Sequence, residues 1–212
     1  MNSRTERLTS RNNEASEGRA EVIVTATTEF LAQCLDGEAL EFPRAPAFGS
    51  LVKAVDEERG QETYGVVFFT TTVPIDSVHR ARALGLSPQQ LREEQPQIFE
   101  MLKTEFRAVI VGYREGRVLY QYLPPYPPQV HEPVYACTKA ETAKFCQQLT
   151  FLRTLMQVPG APADELLAAV LRHGYLATGR SRTWLVQAGR EVSLLLKDDY
   201  DRLNAIVRRL QP

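Results

Sequence analysis

The chain has 212 residues, 43% of them hydrophobic and 24% charged, with a formal net charge of -1. That length buries a core without disulfide or metal staples, and the near-neutral balance excludes a protein whose whole surface binds polyanions. The three cysteines, Cys34, Cys137 and Cys146, are an odd set without CxxC spacing, which argues against a disulfide framework and for a reducing, cytoplasmic location. The first twenty residues contain no apolar h-region, and no run approaches the ~18 apolar residues of a membrane span, so no membrane attachment is expected.

Residues 1–19 are polar and aperiodic. They are expected to form a disordered arm, because they cannot bury enough apolar area to offset the entropy of ordering. Glu21-Val-Ile-Val-Thr25 is β-branched on both faces and predicts a first strand. Pro43 and Pro46 punctuate the entry to a second, over 47–54, in which Gly49 marks a bulge or a tight bend. Asp56-Glu-Glu-Arg-Gly60 is a polar turn into Tyr64–Thr72, so 47–72 reads as a hairpin. A second hairpin joins Arg107–Tyr113 to Val118–Tyr122 through Arg114-Glu-Gly116. Two hairpins plus one leading strand suit a small closed barrel, which leaves no edge unpaired.

Between the hairpins, 76–106 is expected to be a helical insertion. Asp76 is placed to cap a helix Ser77–Leu84 that stops at Gly85. Ser87-Pro-Gln-Gln90 follows the capping-box pattern with Pro at the first helical position. Pro96 opens a third predicted helix, in which Ile98, Met101, Leu102 and Phe106 form an apolar stripe interrupted by Glu105.

Leu123-Pro-Pro-Tyr-Pro-Pro128 cannot occupy a central strand. It is read as a linker or a strap over its own domain, the other use of such a stretch being as a ligand for an aromatic groove. The remainder is predicted mostly helical. Thr138-Lys-Ala-Glu141 is a capping box that starts an amphipathic helix through Phe145, Leu149, Leu152 and Met156, broken at Pro159-Gly160. Asp164–His173 follows, ended by Gly174, then a short helix Trp184–Ala188 before Gly189. The last helix is predicted over Val192–Leu210, with Leu195, Leu196, Leu203, Ile206, Val207 and Leu210 on its buried side. The fold class is therefore α+β: a small closed antiparallel β-barrel with a helical insertion over 20–135, then a helical C-terminal region over 136–212.

Motifs for chemistry are sparse. None of the twelve glycines is followed by lysine, so there is no P-loop, and no G-x-G-x-x-G occurs. His131, Cys137 and Cys146 are too loosely spaced for a zinc site and read as an exposed loop histidine and two apolar thiols. Cys34 paired with His79 or His131 would need a nucleophile motif that the chain lacks. No catalytic, cofactor-binding or metal-binding residue is assigned.

Two basic groups remain: His79, Arg80 and Arg82, and a second in which Arg172, His173, Arg180 and Arg182 surround Tyr175 and Trp184. Arginines interleaved with aromatics serve single-stranded nucleic acid through phosphate contacts and base stacking. The competing reading places Trp184 and Tyr175 in the core and the arginines at helix ends, and the weak overall charge favours it. Arg172, Tyr175, Arg180, Arg182 and Trp184 are kept as a possible nucleic-acid or partner surface.

Glu21-Val-Ile-Val-Thr25, Phe48-Gly-Ser-Leu-Val-Lys53 and Tyr64-Gly-Val-Val67 together resemble the HAS-barrel, the small barrel shared by HerA-type ATPases and the catalytic ring of ATP synthases. Pro74-Ile-Asp-Ser-Val-His-Arg-Ala-Arg-Ala-Leu-Gly85, with Gln95-Pro-Gln-Ile-Phe99 and Thr104-Glu-Phe106, is similar to the insertion of a bacterial stand-alone subgroup. The resemblance implies a barrel that helps subunits associate. It does not carry over ATPase activity, since no P-loop follows the barrel. The expected function is a non-catalytic protein-interaction or assembly module, its partner another protein or its own copies. Nucleic-acid binding and a thiol enzyme centred on Cys34 or Cys137 stand as the alternatives.

Overall fold

The computed structural model describes residues 20–35, 45–76, 83–197 and 199–210. The expected arm at 1–19, and most of the expected helix Ser77–Leu84 with His79, Arg80 and Arg82, lie outside the described residues.

Seven strands are described: β1 (Ala20–Thr25), β2 (Glu29–Cys34), β3 (Leu51–Asp56), β4 (Gln61–Pro74), β5 (Leu102–Glu115), β6 (Val118–Tyr120) and β7 (Pro133–Ala136). Every pairing is antiparallel, in the order β2-β1-β7-β3-β4-β5-β6, and β2 also pairs with β5. That last ladder closes six strands into a barrel, with β6 as an extra strand on β5. Both predicted hairpins are present, turning at Gly60 and Gly116 with positive φ.

The sequence reading misses β2 and β7. Glu29-Phe-Leu-Ala-Gln-Cys34 has no β-branched residue, yet Phe30, Ala32 and Cys34 alternate into the barrel. β7 begins at Pro133, a position where a strand tolerates proline, and bridges β1 to β3.

The expected long helix after Pro96 is corrected to one turn, followed by strand β5 from Leu102. Phe106, Ala108 and Ile110 alternate into the barrel, while Val109 and Val111 are buried on the opposite face, so the strand is covered on both sides. Phe106 lies opposite Ala32 of β2, and the two ladders that flank β5 outcompete a helix for its backbone groups.

The barrel interior is filled. Phe30 and Phe106 occupy it among the small side chains Ala20, Ala32, Cys34, Ala54 and Ala108, with Val22, Val52, Val67, Ile110 and Val134 completing the cluster. A Cβ at Gly65 would stand 2.9 Å from the Phe30 ring, so the missing side chain makes room for that ring. Burying each phenyl contributes about 1.5–3 kcal/mol.

Seven helices are described: α1 (Pro88–Glu94), α2 (Gln97–Glu100), α3 (Lys139–Phe145), α4 (Leu152–Leu155), α5 (Ala163–Ala177), α6 (Arg182–Leu195) and α7 (Tyr200–Leu210). Both capping boxes form, Ser87 with Gln90 and Thr138 with Glu141. The C-terminal helices pack on the outside of β3, β4 and β5. Leu51, Tyr64, Val66, Phe68, Val109 and Val111 point outward into a second core with Phe145, Phe151, Leu152, Leu155, Leu167, Leu171 and Trp184. Gly49, in the turn before β3 at φ +76, seals this junction. A Cβ there would fall 2.5 Å from the Cβ of Ala169 on α5, and its backbone conformation is one that other residues rarely adopt.

Four further expectations are corrected. The helix from Thr138 stops at Phe145, because the carbonyls of Phe145 and Gln148 accept from Gln121, that of Cys146 from Trp184 and that of Gln147 from Gln187. Side chains from elsewhere thus satisfy the carbonyls that a longer helix would use. Gly174 does not end its helix but lies inside α5, where its bare Cα faces the Trp184 ring. The short helix expected over Trp184–Ala188 instead runs through Gly189 as α6, so Val192–Leu195 are its last turn, and the expected helix Val192–Leu210 is interrupted: Asp199 accepts from the Arg202 backbone at 3.0 Å and starts α7 afresh.

The prolines at 124–128 act as a strap. Pro124 and Pro128 are buried, the Tyr126 carbonyl accepts from Gln61, and the Tyr126 ring lies under Arg59 at 5.1 Å.

Candidate functional site

The residues singled out from sequence meet at the corner between α5 and α6. Arg180 has a left-handed backbone there, and its N–H donates to the Tyr175 carbonyl at 2.9 Å. Ser181 then caps α6 by accepting from the Trp184 N–H. Arg172, Arg180 and Arg182 are exposed and Tyr175 is half-buried. Trp184 is not part of the surface: it is 7% exposed, and its indole N–H donates to the Cys146 carbonyl at 2.7 Å. The arginine–aromatic surface thereby loses its largest stacking platform. His173 turns back to the barrel, where its Nε2 meets the Phe48 carbonyl at 3.2 Å. Burial lowers its pKa from the ordinary 6.5, more than the Phe48 hydrogen bond raises it.

Beyond this corner lies a groove between α6 and α7 that sequence reasoning does not find. Val186, Gly189, Ser193 and Leu194 line it from α6, and Leu203, Asn204 and Val207 from α7. Arg190 lines it too, and along α6 it adjoins a second hollow lined by Arg182, Thr183, Val186, Gln187 and Arg190. Val186 is 50% exposed and Leu194 60%, an unusual display for a helix already anchored by Trp184, Ala188 and Val192 on its other side. The signal in the sequence is that α6 carries apolar residues on two opposite faces, whereas a helix serving one core needs one stripe.

A polar cluster clamps the barrel to α3. Lys53 on β3 contacts Glu62 of β4 at 3.2 Å and Glu141 of α3 at 2.5 Å. Arg114 of β5 donates from Nε to Glu62 at 2.8 Å, and the Tyr64 hydroxyl donates to Glu62 at the same distance. Burial alone would raise the Glu62 pKa, but its bonds from Arg114, Tyr64 and Lys53 outweigh it and hold it at about 2. Glu141 is also lowered: its bonds from Lys53 and Thr138 overcome burial. These charges are mutually satisfied, which marks a structural junction.

The thiols are in apolar surroundings. Burial pushes Cys34 up to about 11 and Cys146 up to about 12, and raises Cys137 further, with Glu141 adding to it. A nucleophilic or metal-binding thiol needs the opposite shift. Among the described residues no group of three or more His, Cys, Asp or Glu is placed to hold a metal ion. His131 pairs instead with Glu21. No described helix is long and apolar enough to cross a membrane.

Residues 20–116 match the family model described as HAS barrel domain. The match ends before β7, so the strand that completes the barrel wall lies beyond it. No curated protein matches the chain.

Proposed function

Because residues 20–116 are a HAS barrel domain, we propose that the chain is a non-catalytic assembly module that binds another protein through its outer surface. The observation that carries this reading is the α6–α7 groove, where Val186, Leu194 and Val207 stay open to water beside two arginines. The barrel core is consistent with the same reading: Phe30 and Phe106 pack inside it among small side chains, and the groove lies on the outer surface. Three unpaired cysteines suit a reducing, cytoplasmic setting. A nucleic-acid role would have to rest on Arg172, Arg180 and Arg182 without Trp184.

The test is size-exclusion chromatography with light scattering on the full chain, together with affinity purification from a lysate of its source cells. Self-association or a stoichiometric retained protein is the expected result. A strict monomer that retains nothing would remove the assembly reading.

A further inference from the structure

We propose that the α6–α7 groove receives an acidic amphipathic helix from a partner protein. This rests on the assembly reading and adds the chemistry of the partner. The floor is apolar, formed by Val186, Leu194, Leu203 and Val207. The only hydroxyl on the α6 side of the floor, that of Ser193, is already spent on the Gly189 carbonyl at 2.8 Å. A stripe of apolar side chains at i, i+3, i+4 and i+7 is what such a floor accepts.

The charge around the floor is of one sign. Arg190 lines the groove, Arg182 lines an adjoining hollow on α6 that shares Val186 and Arg190 with it, and no carboxylate lines either. The arginines on the inward side of α7 are neutralised, Arg202 by Asp164 and Arg209 by Glu165. Among the described residues neither Arg182 nor Arg190 has an ion-pair partner. Arg182 also lies in the first turn of α6, which holds no acidic residue, so the positive end of the helix dipole adds to its field. A second copy of the chain would bring the same guanidinium groups against these. Nucleic acid would find an apolar floor with no exposed tryptophan. A helix with a hydrophobic stripe bordered by Asp and Glu answers both the floor and the rim.

Gly189 supplies a notch in this wall. A Cβ built there meets nothing within 4 Å, so a large side chain would project into the groove without disturbing the helix behind it. The experiment uses the full-length chain, labelled, against a yeast-displayed library of peptides about five helical turns long. Each peptide has a fixed leucine stripe and randomised flanking positions. Gly189→Phe and Arg190→Glu serve as counter-screens, with circular dichroism confirming that both fold as the parent does.

The expected result is enrichment of clones with Asp and Glu on the flanks. Their affinity should fall about ten-fold or more in either variant and weaken with added salt. Absence of any enriched clone, neutral or basic flanks, or binding that survives Gly189→Phe would each overturn the proposal. So would light scattering that shows a dimer dissolved by Gly189→Phe, since the groove would then belong to a second copy. A natural partner retained equally by the parent and by Gly189→Phe would keep the assembly reading while removing the groove from it.

Discussion

At the scale of single residues, Trp184 joins three segments. Its N–H satisfies the Cys146 carbonyl, its ring occupies the space left by Gly174, and with Ala188 and Val192 it forms the buried face of α6. Trp184→Phe leaves a buried carbonyl unpaired and should destabilise by about 1–3 kcal/mol in urea denaturation. Gly174→Ala places a carbon 2.7 Å from the ring and should cost a similar amount through overpacking. On the acid side, His173 and Glu62 act in separate pH windows. Burial lowers the His173 pKa in the folded chain, so the unfolded chain binds its proton first, and stability should fall as pH drops below about 6.5. Glu62 is held ionised down to about pH 2, so its contribution is complete above its ordinary 4.5 and is lost between there and about 2. Melting temperatures of His173→Gln and Glu62→Gln against pH separate the two: the first variant should flatten the upper step and the second the lower. The cysteines should react with a thiol probe no faster than a free thiol at neutral pH, since burial raises Cys34 and Cys146 to about 11 and 12.

At the scale of elements, α7 has a sharp inside and outside. Ile206 is fully buried in the second core, whereas Leu203 is only partly buried and faces the groove. Ile206→Asp should therefore cost several kcal/mol, about 3 or more, by burying an unpaired charge. Leu203→Asp should cost about 1 kcal/mol. Equal melting temperatures for the two would mean that α7 is not seated as described.

The elements also show what was legible in the sequence. Both capping boxes and both hairpin turns were, because caps and turns are local chemistry. β2 and β7 were not, because they are made by partners distant in the chain: Phe30 and Ala32 become strand residues only when Ala108 and Phe106 lie opposite them. Phe106 fits both a helical and an alternating pattern, and the ladders decide between them. The end of α3 was hidden for a similar reason, its cap being Gln121, Trp184 and Gln187. At the candidate site, the arginines of the α5–α6 corner were legible by composition. The groove is not, since its second wall is α7 and the break at Asp199 that creates that wall is hidden by the continuous apolar pattern of residues 192–210.

At the scale of the whole molecule, the barrel and the helical region are two cores that share walls. The inner faces of β3, β4 and β5 close the barrel around Phe30 and Phe106, and their outer faces carry the helices. The Lys53–Glu62–Glu141–Arg114 cluster and the Gly49–Ala169 contact clamp the same junction. A groove on α6 and α7 is a fixed surface only if that junction holds, so cooperativity between the two cores is the claim on which the functional reading depends. Trp184 is the one tryptophan of the chain, and it reports the second core alone. Denaturation followed by Trp184 emission, and in parallel by the NMR amide signals of Val22, Ala32 and Ile110 inside the barrel, tests it directly. A single shared midpoint is the expected result. An earlier, separate transition of Trp184 while the barrel amides stay native would contradict it.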